Sequence, residues 1–284
     1  MTEPLVSPVV TLRDGLELPQ LGLGVYKVDN ADIPGVISAA LDIGYRLIDT
    51  AALYGNEESV GQALRESDVQ REDIVVTTKI WNDDHGYDAA RRAFDASMDR
   101  LGLDVLDLCL IHWAVPEQGL YVDTWRALID LQEEGRVRSI GVSNFAEPEL
   151  REIIDATGVT PSVHQIELHP FFNQARMREV NRELIIPTEA WAPLARGGEL
   201  FTQADLHQIA AMHDATPAQV VLAWHRQIGT IAIPKSVSPE RLRENFESLR
   251  IELTDAQMDL INELDRGIAG RTGMDPATMR RIGE

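Results

Sequence analysis

Residues 74–112 read IVVTTKIWNDDHGYDAARRAFDASMDRLGLDVLDLCLIH. Two short, apolar, β-branched runs, IVVTTK and VLDLCLIH, flank a longer amphipathic stretch over 88–101. The runs are continuous rather than alternating, which is the pattern of strands buried on both faces in a parallel sheet. Outward from this unit the alternation recurs: LGLGV before a helix over 34–43, YRLID before 57–65, and VLDLCLIH before 121–134. SIGVS then precedes 148–156, SVHQIEL precedes 175–182, LIIPTEAWA precedes 204–213 and a further helix over 217–227, and IAIP precedes 239–246. Thr216-Pro217 and Ser238-Pro239 place a cap before proline, and Thr254-Asp255 opens a last helix to about Leu264. Ahead of it all, VVTL, Arg13-Asp14-Gly15 and LEL read as a β-hairpin, Asp-Gly supplying the positive φ angles of a tight turn. Eight strand–helix units after a hairpin predict an α/β fold: a (β/α)8 TIM barrel with the N-terminal hairpin at its bottom and extra C-terminal helices. The rival, a doubly wound open sheet, needs a glycine-rich phosphate loop after its first strand. Here Gly22-Leu23-Gly24-Val25-Tyr26-Lys27 carries lysine where the third glycine belongs.

No low-complexity linker divides the 284 residues, so the reading is one domain over 1–284. Against 46 acidic residues stand 26 Lys and Arg, a formal charge of −20. That surface repels nucleic-acid phosphates and anionic lipid. The single cysteine, Cys109, rules out an internal disulfide or a Cys-based metal site, and its place in LDLCLIH predicts a core thiol. No apolar stretch has the roughly 20 residues a bilayer span needs, and the start of the chain lacks the pattern of a secretory signal. A monomeric cytoplasmic protein without nucleic-acid or membrane partners is the expectation. His164, His169, His207 and His213 fall at no recognisable metal spacing and read as structural; no metal is expected.

In such a barrel the chemistry lies where strands end and βα loops begin. Those positions carry Asp49 (with Tyr54 five residues on), Lys79, His112, Ser143-Asn144, Gln165, Trp191 and Lys235-Ser236. Taken singly, Asp49 reads as an N-cap or salt-bridge partner and Tyr54 as a surface loop residue. Trp81 and Trp113 read as pocket walls or as packing residues near the rim, and Arg196 as a pyrophosphate contact or a solvated side chain.

Taken together, GYRLIDTAALYGNEESVG, the lysine after IVVTT, LIHW, GVSNF, QIELHPF, APLARG and IPKSVSPERLREN resemble the aldo-keto reductases, segment by segment and in order. The chain is most similar to their short prokaryotic, diketogluconate reductase-like branch. The resemblance implies a catalytic tetrad of Asp49, Tyr54, Lys79 and His112, and an NADPH/NADP+ site outside any Rossmann fold. It implies Ser143, Asn144 and Gln165 at the nicotinamide amide, Trp191 on the ring face, and Pro193 and Leu194 beyond. It puts Lys235, Ser236, Val237 and Arg241 around the 2′-phosphate, Glu244 and Asn245 at the adenine, and Tyr26, Trp81, His112 and Trp113 around a small carbonyl substrate.

The chemistry asks for these residue types. Hydride delivery to a carbonyl builds negative charge on oxygen, which must be protonated. Free tyrosine, with a pKa of about 10, is a weak acid for this task. A lysine about 4 Å away is worth roughly 4 kcal/mol at an effective dielectric near 20, about three pKa units. Lys79, held charged by Asp49, is therefore expected to bring Tyr54 down, while His112 orients the carbonyl and helps to pass the proton. The expected function is NADPH-dependent reduction of aldehydes, ketones and dicarbonyls to alcohols. The alternative is a catalytically idle NADPH-binding subunit that senses redox state, which would not need Tyr54, Lys79 and His112 together. A barrel aldolase or isomerase using Lys79 as a Schiff base leaves the IPKS…R segment without a purpose.

Overall fold

The computed structural model describes residues 5–280; the first and last four residues of the 1–284 domain reading lie outside the described residues. β1 (Val9–Thr11) and β2 (Glu17–Pro19) form the expected antiparallel hairpin, Val10 opposite Leu18, with Gly15 at φ +88° in its turn. The next eight strands are parallel and neighbours in chain order. They are β3 (Leu23–Gly24), β4 (Leu47–Asp49), β5 (Val75–Ile80), β6 (Leu106–Ile111), β7 (Val137–Ser143), β8 (His164–Glu167), β9 (Thr188–Trp191) and β10 (Ile231–Ala232). The sheet curls until its edges meet: Leu21 bridges Ala232, and the Gly24 N–H donates to the Pro234 carbonyl at 3.2 Å. This is a TIM-barrel-like fold.

Around it lie α1 (Ile33–Ile43), α2 (Glu57–Arg65), α3 (Tyr87–Leu101), α4 (Tyr121–Glu133), α5 (Glu147–Thr157), α6 (Ala175–Glu183), α7 (Ala204–Met212), α8 (Pro217–Gln227), α9 (Pro239–Glu247) and α10 (Asp255–Asn262). Thr216, Ser238 and Thr254 all cap as expected, each accepting a backbone N–H from three residues on. Among the described residues no helix is long and apolar enough to cross a membrane.

Each strand of β5 and β6 is buried along its whole length. Val76, Ile80, Cys109 and Ile111 face the helices, whereas Val75, Leu108 and Leu110 point into the barrel. There the hairpin residues Leu12, Leu16 and Leu18 pack against Leu47, Val75, Leu108 and Ile231, so the barrel floor is an apolar plug. The opposite end of the interior holds the polar side chains, where the strands run out into loops. α3 shows how the helices dock: Ala90, Phe94, Ser97, Met98 and Leu101 form its buried stripe, and Gly102 at φ +66° ends it with an N–H to the Met98 carbonyl. α2 approaches that end so closely that a Cβ on Gly61 would lie 2.1 Å from the Leu101 carbonyl oxygen. Gly61→Ala is therefore expected to destabilise the fold by about 1–3 kcal/mol, read as a drop of several degrees in melting temperature. An unchanged melting point would show that α2 and α3 are free to separate.

Two apolar runs are shorter as strands than they read. LIIPTEAWA contributes only Thr188–Trp191, because Ile185 is left-handed (φ +56°) and the Ile186 N–H closes the end of α6 on Asn181. IAIP contributes two residues, since Pro234 has no N–H to continue a ladder.

Candidate active site

The polar end of the barrel is built around Lys79, which the run of β5 points inward with no exposed surface. Its ammonium donates to both Asp49 carboxylate oxygens, at 2.7 and 2.8 Å, and to the Thr50 carbonyl at 2.9 Å. The Tyr54 hydroxyl is 3.5 Å away. Tyr54 sits in a 3-10 turn, Ala52–Tyr54, that leaves β4 and ends at Gly55 (φ +63°). Asn56 pins this turn, accepting from the Thr50 hydroxyl at 2.6 Å and donating to the Val25 carbonyl at 3.0 Å. On its open side the Tyr54 ring meets Tyr26, with centroids 4.9 Å apart, and the His112 ring edge-on at 5.8 Å. The four residues expected to form the tetrad thus share one space.

Their electrostatics differ from expectation in one respect. Burial alone would strip the proton from Lys79, but Asp49, helped by Tyr54, outweighs it and holds the ammonium charged. Lys79 does pull Tyr54 downward, yet burial of the inward-turned hydroxyl, with Asp49 behind it, pushes the phenol up to about 12. The predicted lowering of the tyrosine is therefore corrected: desolvation exceeds the ammonium's attraction. His112 moves the other way, with burial, Lys79 and His85 keeping it well below the usual histidine range. It is a neutral imidazole at pH 7, able to donate one hydrogen bond but not to store a proton.

A second layer comes from β7, β8 and β9. Ser143 pairs with Gln165 across the sheet, and Gln165 with Glu189. Asn144 is left-handed (φ +57°), and its side-chain N–H groups reach the Ser143 hydroxyl at 2.9 Å and the His112 carbonyl at 3.0 Å. Its oxygen accepts the Trp191 indole N–H at 2.8 Å, fixing the half-buried indole. Gln165 reaches across the barrel to Asp49 and sideways to Glu189, both at 2.9 Å. Glu189 is missing from the residues expected from sequence, although its position two before Trp191 puts it on the inner face. His164 was read as structural, and its ring supports the loop: it accepts the Phe145 N–H at 3.2 Å while its other nitrogen contacts Asn181 at 2.9 Å. His225, unremarked in the sequence, lies 3.1 Å from the Pro193 carbonyl and so holds the loop after β9, in which Leu194 is half-buried. Arg196 in that loop is exposed and left-handed (φ +59°).

The junction of β10 and α9 carries two exposed cations. Lys235 and Arg241 are exposed, and neither forms an ion pair with a described residue. Val237 is exposed beside them, and Asn245 is buried. Two neighbours have local duties: the Ser236 hydroxyl accepts the Ser238 N–H at 3.2 Å, and Glu244 accepts the Thr216 hydroxyl at 2.7 Å.

The C-terminal segment packs against the same end of the barrel, over the loops after β5, β6, β8 and β9. Glu167 accepts the Thr272 N–H and hydroxyl, both at 2.6 Å, and the Gly273 N–H at 2.9 Å, with His169 at 3.1 Å. Burial would raise this carboxyl, but the hydrogen bonds keep it below the usual range. A Cβ on Gly273 would strike the Trp191 ring at 2.3 Å. Further on, Met279 is buried with Trp81, Trp113 and Val115, and Trp81 in turn contacts His112 at 5.0 Å between ring centroids. Four non-glycine residues in the left-handed region, Lys27, Val115, Asn144 and Ala192, follow four of the strands at this end. Backbone strain of this kind concentrates at working sites. Among the described residues no three His, Cys, Asp or Glu side chains group as metal ligands, and burial pushes the Cys109 thiol up.

The aldo/keto reductase family model matches residues 20–266. The chain is 49% identical over 260 residues to 2,5-diketo-D-gluconic acid reductase B of Corynebacterium sp. (strain SHS752001), covering 92% of this chain and 94% of that one. It is 46% identical over 269 residues to methylglyoxal reductase DkgA of Escherichia coli (strain K12), covering 94% and 96%. A crystal structure of a Gox0644 variant in complex with NADPH superposes with a TM-score of 0.92 at 46% identity, covering 97% of this chain and 99% of that one.

Proposed function

The chain belongs to the aldo/keto reductase family, and on that premise we propose that it reduces aldehydes, ketones and dicarbonyls to alcohols with NADPH. The observation that carries this reading is the buried run Asp49–Lys79–Tyr54, with the neutral His112 facing the same space. When bound, the nicotinamide supplies the hydride that the carbonyl carbon receives. Tyr54, protonated because its pKa lies at about 12, gives its proton to the carbonyl oxygen as charge develops there. Lys79 steadies the phenolate left behind, Asp49 keeps Lys79 charged and aimed, and solvent returns the proton. His112 holds the carbonyl oxygen by one hydrogen bond, and Tyr26, Trp81 and Trp113 wall the substrate.

The residues present suit the dinucleotide phosphate. Trp191 offers a flat indole held in place by Asn144, and Ser143 and Gln165 are cross-strand partners on the neighbouring strands. Lys235 and Arg241 are cations without carboxylate partners on an acidic protein, as a 2′-phosphate requires. Val237, Glu244 and Asn245 would line the adenosine end, and Pro193 and Leu194 the stretch between. The same reading takes the chain as one barrel domain, monomeric and cytoplasmic, whose partners are small carbonyl compounds and neither nucleic acid nor membrane. A subunit that only bound the cofactor would have no use for a lysine ammonium desolvated beside a tyrosine. Mixing the protein with NADPH and methylglyoxal while following cofactor absorbance tests the proposal. Turnover is expected; cofactor binding without turnover on any of a panel of aldehydes, ketones and dicarbonyls would favour the idle subunit.

A further inference from the structure

We propose that Glu189 is a positioning residue for the cofactor amide: it fixes the Gln165 side chain with its NH2 turned into the barrel and its carbonyl oxygen presented to the nicotinamide carboxamide. The inference rests on the cofactor reading above. Gln165 and Glu189 are direct cross-strand partners on β8 and β9, so their side chains share the inner face. A primary amide has two N–H hydrogens. Gln165 commits one to Asp49 and one to Glu189, each at 2.9 Å. What remains to meet a ligand is therefore its carbonyl oxygen, which suits the NH2 of a carboxamide.

Asp49 alone would fix this orientation weakly. Both of its oxygens already receive Lys79, so its charge is largely answered. An amide also turns end for end about a broad, two-fold torsion. Glu189 supplies the second acceptor that makes the reversed amide costly, since reversal would set the Gln165 oxygen against two carboxyl groups and lose both hydrogen bonds. Glu189 is fully buried, and its other oxygen has no partner among the described residues. The charged groups facing it are Asp49 from β4 and Lys79 from β5; its neighbours on β10, Ile231 and Ala232, are apolar. Burial, and after it the charge of Asp49, push the Glu189 carboxyl above the usual carboxylate range. Once ionised, it adds a second negative charge beside Asp49, opposing the build-up of negative charge on Tyr54 and on the substrate oxygen.

The test uses Glu189→Met, which keeps bulk but removes the acceptor, and Glu189→Gln, which keeps an uncharged oxygen acceptor. NADPH affinity is read by quenching of tryptophan fluorescence, turnover across pH 6–10, and folding by thermal melts; Gln165 side-chain amide resonances report orientation directly. At pH 7, E189M is expected to weaken NADPH about tenfold, E189Q to restore most of that affinity, and E189M combined with Gln165→Met to be no worse than Gln165→Met alone. Between pH 6 and 10 the Gln165 amide resonances of the wild type should shift as Glu189 ionises and turnover should fall with them; both changes should be missing from E189Q. If E189M binds NADPH like the wild type, whether or not its melting point drops, the positioning role is overturned while the function reading stands. If the wild type itself binds no NADPH, both fall.

Discussion

Tyr54→Phe is expected to lower kcat for carbonyl reduction by about 10²- to 10⁴-fold, the usual worth of a placed general acid. That is roughly 3–5 kcal/mol of transition-state stabilisation. The change removes one oxygen and keeps the ring, so the contacts with Tyr26 and His112 survive. The only side-chain bond lost is the long one from Lys79, which retains Asp49 and the Thr50 carbonyl. Melting temperature and NADPH affinity should therefore stay close to wild type. The direction of the tyrosine's shift adds a second expectation. With its pKa at about 12, Tyr54 is protonated throughout pH 6–8, so reduction should vary little with Tyr54 ionisation there. Alcohol oxidation needs the phenolate, present in only about 1 part in 10⁵ at pH 7, so its rate should climb close to tenfold per pH unit. If Y54F keeps more than a tenth of wild-type kcat, the proton comes from elsewhere, and if oxidation is flat in pH, the high pKa is wrong.

The places of Lys79 and His112 at the polar end were legible because a strand buried on both faces marks the residue that ends it; their proposed catalytic roles came from the family resemblance. IVVTTK and VLDLCLIH are apolar up to Lys79 and His112, and β5 and β6 end at Ile80 and Ile111. The same reading placed Ser143-Asn144 at the end of β7 and Gln165 on β8. Glu189 could have been found by the same rule: a lone acid in TEAW, two before Trp191, must share its inward face. Its surroundings are silent in sequence, because the charges that face it, Asp49 and Lys79, lie on strands across the barrel, a proximity set by closure of the sheet. The grip of Glu167 on Thr272 and Gly273 spans more than a hundred residues and is equally silent in sequence. The sign of the net shift on Tyr54 was misjudged for a different reason. Charge attraction can be reckoned from residue types, whereas desolvation depends on how deep the fold buries the hydroxyl, and here depth dominates.

Arg241→Ala should weaken NADPH roughly tenfold to a hundredfold and leave NADH nearly untouched, the loss of one charged hydrogen bond of about 1.5–3 kcal/mol. Arg241 is the third residue of α9, whose start is set by Ser238 accepting its backbone N–H, and Lys235 stands just beyond the end of β10. Both cations are exposed, with no carboxylate among the described residues paired to them, in a chain whose acids outnumber its bases by 46 to 26. Two cations without carboxylate partners on such a surface favour a dianionic phosphate as their ligand. The ribose of NADH carries no such phosphate, so the wild type should prefer NADPH clearly, and the preference should shrink as salt rises. Ser236 is expected to contribute less than its place in IPKS implies, because its hydroxyl already donates to the Ser238 carbonyl at 3.4 Å while accepting the Ser238 N–H. Arg243, two residues along the same helix and so about 200° round it, serves as the control: Arg243→Ala keeps the net charge change but not the position, and should alter neither affinity. Equal loss of both cofactors in R241A would assign that arginine to the fold. Equal wild-type affinity for NADPH and NADH would leave the cationic pair without a phosphate to bind.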